Sequence, residues 1–164
     1  MKRIVMYINQ FFGGIGGEDK ADYAPSIQEG PVGPGSVILA GGQGRRMGGI
    51  DKGGLDYKGE SFRGHIQRQL QALDIPCYLS RACYGGNGDR EDGLEVIEDT
   101  VKGAEGEWIG PMGGIWSCFQ RTGYEGLFFI SCDMPLFRTE MARILMERWE
   151  PGTDAVLWLS LIHI

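Results

Sequence analysis

The chain has 164 residues, a net charge of −6, 42% hydrophobic content and 28 glycines. An acidic balance argues against a nucleic-acid surface, which needs clustered positive charge, and no apolar run approaches the ~20 residues that span a bilayer. Four Trp, six Tyr and seven Phe suffice for a packed core, so the glycines mark turns and close backbone approaches rather than a disordered or collagen-like chain.

In chain order, Ile4-Val5-Met6-Tyr7-Ile8 is a short strand-like run. A Gly/Pro/acidic stretch follows and ends in Gly30-Pro31-Val32-Gly33-Pro34-Gly35, which reads as loop or linker. From residue 36 to about 158, strand-like and helix-like segments alternate, which predicts a parallel sheet covered by helices. Ser36-Val37-Ile38-Leu39-Ala40 is a buried-strand run halted by Gly41-Gly42. Phe62, Ile66, Leu70 and Leu73 recur at spacings of four, four and three and mark one helix face. Residues 77–80 and 95–97 read as short strands, and residues 113–121 as a helix. Leu127-Phe128-Phe129-Ile130-Ser131 is the clearest central strand and ends at Cys132-Asp133. Met141, Ile144, Leu145 and Trp149 form a second helical stripe, with Thr139 as its expected N-cap. Residues 155–159 begin a further strand. The four cysteines show no CxxC spacing, and Lys2 and Arg3 precede too short an apolar run for an export signal, so reduced thiols in a cytoplasmic protein are expected.

Chemistry concentrates in the loop Leu39-Ala40-Gly41-Gly42-Gln43-Gly44-Arg45-Arg46-Met47-Gly48-Gly49-Ile50-Asp51-Lys52. It leaves a strand at its carboxyl end, where open α/β sheets bind ligands. Glycines there free backbone N–H groups to hold phosphate oxygens, and Arg45, Arg46 and Lys52 add cations in an acidic chain. The spacing fits neither a Walker loop nor a dinucleotide fingerprint; the plain alternative is a surface loop. Asp133, directly after a buried strand, is a candidate Mg²⁺ ligand or a turn-forming residue ahead of Pro135. Val96-Ile97-Glu98-Asp99 also ends a strand in acid, and Gly110-Pro111-Met112-Gly113-Gly114 opens a helix with small residues. A ribose or base could approach there with Asp99 accepting hydrogen bonds, or the pair could be a strand end and a tight turn. His65 lies on a predicted helix as a surface or packing residue.

The run LAGGQGRRMGGIDK at 39–52, VIED ending at Asp99, GPMGG at 110–114 and FFISCDMP around Asp133 resemble the molybdenum cofactor guanylyltransferase family in matching order. The resemblance implies a Rossmann-like three-layer α/β/α nucleotidyltransferase fold, incomplete at its C-terminus, over residues 36–158. It implies an enzyme that transfers GMP from GTP to the molybdenum-molybdopterin cofactor and releases pyrophosphate. The alternatives are a cytidylyltransferase or sugar-phosphate nucleotidyltransferase, or an inactive GTP-binding fragment. Carried over position by position, Leu39, Ala40, Gly41, Gly42, Lys52, Ser80, Asp99 and Asp133 would contact the nucleotide. Lys52 and Asp133 would act in catalysis, and Asp133 would bind Mg²⁺. Arg46 is added as a clamp on departing pyrophosphate. Ser80 stands where relatives often carry Asn, which lessens its bonding capacity. Molybdenum-insertion proteins and molybdoenzymes or their chaperones are the implied protein partners.

Two segments fall outside that resemblance. Residues 1–35 resemble the start of the selenoprotein subunit of glycine, sarcosine and betaine reductase component B, and are expected to be foreign to the enzyme, joined in a chimera. Residues 159–164 resemble the translation of a transposase end sequence used as a sequencing adapter, and are expected to be an artefactual tail.

Overall fold

A computed structural model describes residues 4–8, 34–40, 52–82, 90–104, 106, 109–150 and 154–158. Seven strands form one sheet: β1 (Ile4–Ile8), β2 (Pro34–Leu39), β5 (Cys77–Ala82), β6 (Arg90–Glu91), β7 (Leu94–Asp99), β8 (Gly126–Ser131) and β9 (Ala155–Trp158). Their order across the sheet is β6-β7-β5-β2-β8-β1-β9. Every pairing is parallel except that of β6 with β7. A separate antiparallel pair joins β3 (Asp56–Tyr57) to β4 (Glu60–Ser61).

Helices α1 (Phe62–Gln71), α2 (Pro111–Thr122) and α3 (Thr139–Glu147) carry the chain from β2 to β5, from β7 to β8 and from β8 to β9, crossovers that let those strands run parallel. Alternate residues of the central strands feed two separate cores, as the two-residue period of a strand requires. Ile38, Phe128 and Ile130 pack with Ile66 and Leu70 of α1 and Ala142 and Leu145 of α3. Val37, Leu39, Leu127 and Phe129 pack with Ile115, Cys118 and Phe119 of α2. This is the expected three-layer α/β/α arrangement. Strands buried on both faces read as continuous apolar runs, which is why β2 and β8 are legible in the sequence.

Local chemistry sets the element ends. Ser61 caps α1 by accepting from the Gly64 N–H at 3.0 Å. Asp92 and Gly93 turn β6 back onto β7 with φ of 49° and 80°, the left-handed pair of a two-residue hairpin. Thr139 corrects an expectation: it is the first helical residue of α3, and Arg138 holds the cap position in extended backbone without a side-chain cap bond. The Thr139 hydroxyl instead donates to the Gln69 carbonyl at 2.8 Å, and its N–H donates to Gln69 Oε1 at 3.0 Å. A residue of α1 thus satisfies a free amide of α3.

His65 has the packing role the sequence suggests. Its Nε2 lies 2.9 Å from the Phe137 carbonyl and its Nδ1 3.0 Å from Glu60, tying α1 to the approach of α3. Among the described residues, no helix is long and apolar enough to cross a membrane.

Candidate active site

Four parallel strands deliver their carboxyl ends to one edge of the sheet. The registers set Leu39 level with Ser80 and with Ser131, and Ala82 level with Asp99. Two backbone bonds tie the ends beyond the ladder: the Ala40 N–H donates to the Ser80 carbonyl at 2.7 Å, and the Cys132 N–H to the Leu39 carbonyl at 3.0 Å. The chain leaving β2 at Ala40 is therefore anchored on both sides where the glycine loop begins. Gly41, Gly42 and Arg46 lie outside the described residues.

Lys52 opens a single 3-10 turn, Lys52–Gly54, and brings its Nζ to 3.4 Å from Asp133 Oδ2. Both side chains keep substantial exposure, 42% for Lys52 and 30% for Asp133. A long, exposed ion pair contributes only ~0–1 kcal/mol to folding, so stability does not account for it. The other oxygen of Asp133 accepts from the Ser131 hydroxyl at 2.6 Å. Ser131 thereby holds the carboxylate while leaving Oδ2 toward the open side. Sequence reasoning missed Ser131 as a site residue, although its place two residues before a strand-end Asp is a local signal.

Asp99 has the opposite surroundings. It is 5% exposed, and its Oδ1 accepts from the Val101 N–H at 2.9 Å and the Ser117 hydroxyl at 3.3 Å. The Ser117 oxygen in turn accepts from the Thr100 N–H at 3.1 Å. Helix α2 lies directly over this group: a Cβ on Gly113 would fall 2.7 Å from Asp99 Oδ2. Glycine is required there by close approach to the carboxylate. The negative charge sits beside the first turn of α2, where the helix dipole favours it, and Gly110 at the cap supplies no side-chain bond.

Ser80 is 2% exposed and packs under the next glycine, its Oγ 2.8 Å from where a Gly114 Cβ would stand. Its hydroxyl also bonds Cys118, whose thiol is pushed up to about 12 chiefly by burial, with the Ser80 bond opposing. Burial likewise pushes the Cys77 thiol up to about 11. These cysteines are inert packing residues. Lys52, Asp133 and the end of β2 therefore form an accessible group, whereas Ser80 and Asp99 lie beneath α2. Ser117 escaped the sequence reading because its bond to Asp99 is non-local, although the Gly113/Ser117 spacing of four marks one helix face.

Among the described residues, no cluster of three or more His, Cys, Asp or Glu could cage a metal. A partly exposed carboxylate beside a cation suits Mg²⁺ that arrives with phosphates, because that ion uses one or two protein carboxylates and substrate oxygens.

The family description "MobA-like NTP transferase domain" matches residues 36–161, reaching into the segment set apart above as a tail. "Glycine/sarcosine/betaine reductase selenoprotein B" matches residues 1–46. The chain is 31% identical over 125 residues to a molybdenum cofactor guanylyltransferase of Pseudomonas putida, covering 74% of this chain and 61% of the relative. It is 36% identical over 110 residues to that of Pasteurella multocida, covering 65% and 53%. The chain thus spans little more than half the length of these curated relatives. The crystal structure of Rv0371c from Mycobacterium tuberculosis aligns with a TM-score of 0.53 at 18% identity, over 70% of this chain and 58% of that one, a likeness of fold. With 36–161 matched in the order that carries the site, the chain belongs to the MobA-like NTP transferase family.

Proposed function

We propose that this chain carries the nucleotide-handling part of a molybdenum cofactor guanylyltransferase, moving GMP from GTP to the phosphate of the molybdenum-molybdopterin cofactor. The observation that supports this most is the exposed Lys52–Asp133 pair at the strand ends where the glycine loop leaves β2. In the reaction a cofactor phosphate oxygen attacks the α-phosphorus of GTP. The bond from that phosphorus to the bridging oxygen breaks, and pyrophosphate departs with the electron pair. The nucleophile is already ionised at neutral pH, so no general base is needed and charge management dominates.

Lys52 neutralises charge on the phosphates. Asp133, steadied by Ser131, would hold Mg²⁺, which supplies further charge neutralisation when bound with GTP. Leu39 ends the strand from which the glycine loop departs, Ala40 follows it, and by the family resemblance Gly41 and Gly42 would bind phosphate, with Arg46 added as a clamp. Ser80 and Asp99 act on the nucleotide side of the sheet from beneath, by fixing the first turn of α2. A cytoplasmic setting, with molybdenum-insertion proteins and molybdoenzymes as partners, fits the buried thiols and the substrate.

The test is pyrophosphate release from the full chain with GTP, Mg²⁺ and molybdenum-loaded molybdopterin. Release with GTP supports the proposal. Turnover of CTP or of a sugar phosphate in its place reassigns the chain to a sister transferase, and calorimetric GTP binding without release leaves a binding fragment.

A further inference from the structure

Strands β8 and β9 are consecutive in the family-matched region 36–161, yet they do not pair with each other. Strand β1 lies between them, parallel to both. Ile4 to Ile8 are level with Gly126 to Ile130 on one side, and Val5 to Ile8 with Ala155 to Trp158 on the other. These five residues lie outside the MobA-like match and inside the reductase-like one. The matched region therefore presents a two-sided slot whose occupant comes from outside it.

We infer that Ile4–Ile8 completes the sheet as a strand insert: the slot between β8 and β9 is a strand-acceptor site for an extended apolar segment running parallel, and this chain fills it with its own reductase-like N-terminal residues. Three observations carry the inference. The segment is Ile-Val-Met-Tyr-Ile, the uninterrupted apolar and β-branched composition that an interior parallel strand needs. Its register is continuous on both sides, so main-chain bonds, which any extended sequence can make, provide the recognition. Among the described strands, β9 has β1 as its one sheet neighbour, so its attachment to the sheet passes through the insert. The insert also braces β8 as far as Ile130, one residue before Ser131 and three before Asp133.

The two differently related segments are therefore one folding unit. The slot recognises extended apolar chain rather than a particular sequence, so a different β-prone pentapeptide at positions 4–8 serves equally.

Cross-linking in the full chain tests the placement without disturbing it. Val5→Cys with Ala155→Cys joins two registered positions, the second exposed, and mild oxidation should form that disulfide in native buffer but not in urea. Val5→Cys with Arg90→Cys, at the opposite edge, should form none. Hydrogen exchange then tests dependence. Met6→Pro removes a ladder donor, so amides of 155–158 should exchange at least about tenfold faster while those of β2, β5 and β7 keep their protection. Adding a synthetic peptide of residues 1–12 should restore the slow exchange. Absence of the Val5–Ala155 cross-link in folded protein, or unaltered protection of 155–158 in Met6→Pro, overturns the inference. The cross-link result stands even where the proline variant fails to fold. Neither readout depends on nucleotide turnover, so failure here is separable from failure of the transferase reading.

Discussion

Asp99 and Asp133 stand at the same edge of one sheet, each at the carboxyl end of a parallel strand, and their surroundings differ. Asp99 is sealed beneath α2, its oxygens committed to Val101, Ser117 and the space over which Gly113 passes. Asp133 keeps one oxygen on Ser131 and offers the other beside Lys52 at the surface. The difference comes from what crosses above. A helix packed down on glycine closes the site at β7, whereas the turn after β8 leaves an opening. Two acids at one sheet edge thus differ in exposure because of what packs above each of them.

The largest effect that would sharpen this contrast falls on Asp133. Asp133→Asn should lower pyrophosphate release by roughly 10²–10³-fold, with the urea midpoint shifted by no more than an exposed pair allows. Lys52→Ala should cost about as much in rate and equally little in stability. Normal turnover by either variant would place the chemistry elsewhere. Asp99→Ala should behave in reverse, losing about 1–3 kcal/mol in urea unfolding because the Val101 N–H and Ser117 hydroxyl lose a buried acceptor. Unchanged stability with lost GTP affinity would erase the distinction between the two acids.

A third carboxylate sets the lower end of the scale. Glu60 is held at about 2, below its ordinary 4.5, first by its hydrogen bond from Arg68 and then by His65. Because its folded value is depressed, its contribution is present above pH 4.5 and is lost as pH falls toward 2. Glu60→Gln should make the decline of the urea midpoint across that window slightly shallower, an effect small for so exposed a pair.

The parts legible in the sequence were those governed by local pattern. The apolar runs of β2 and β8 and the Phe62–Ile66–Leu70 stripe of α1 appear in the structure within a few residues of their expected limits. Lys52 and Asp133, 81 positions apart, lie within 3.4 Å of each other, a proximity that no local pattern announces. What escaped depended on contacts between distant segments: Gln69 satisfying the start of α3, Ser117 bonding Asp99, and Ile4–Ile8 entering the sheet. Two hairpins escaped for another reason. Lys58-Gly59 and Asp92-Gly93 carry the left-handed pairs that two-residue turns demand, but their strands are only two residues long on one or both sides and show no alternation to read.

The place of β1 also has a consequence in time. The segment precedes the other described strands in the chain, yet both of its neighbours come late: Ile4 waits for Gly126, and Val5 for Ala155. Closing loops of that span is slow, because chain entropy is lost before any contact repays it. The β2–β5–β7 part should therefore assemble first and the β8–β1–β9 part last, with pulse-labelled amides of β1 and β9 protected after those of β5. During that delay an apolar segment stays exposed beside an open sheet edge, the condition under which chains exchange strands with one another. Of the described strands, the earliest in the chain is thus among the last to find its place.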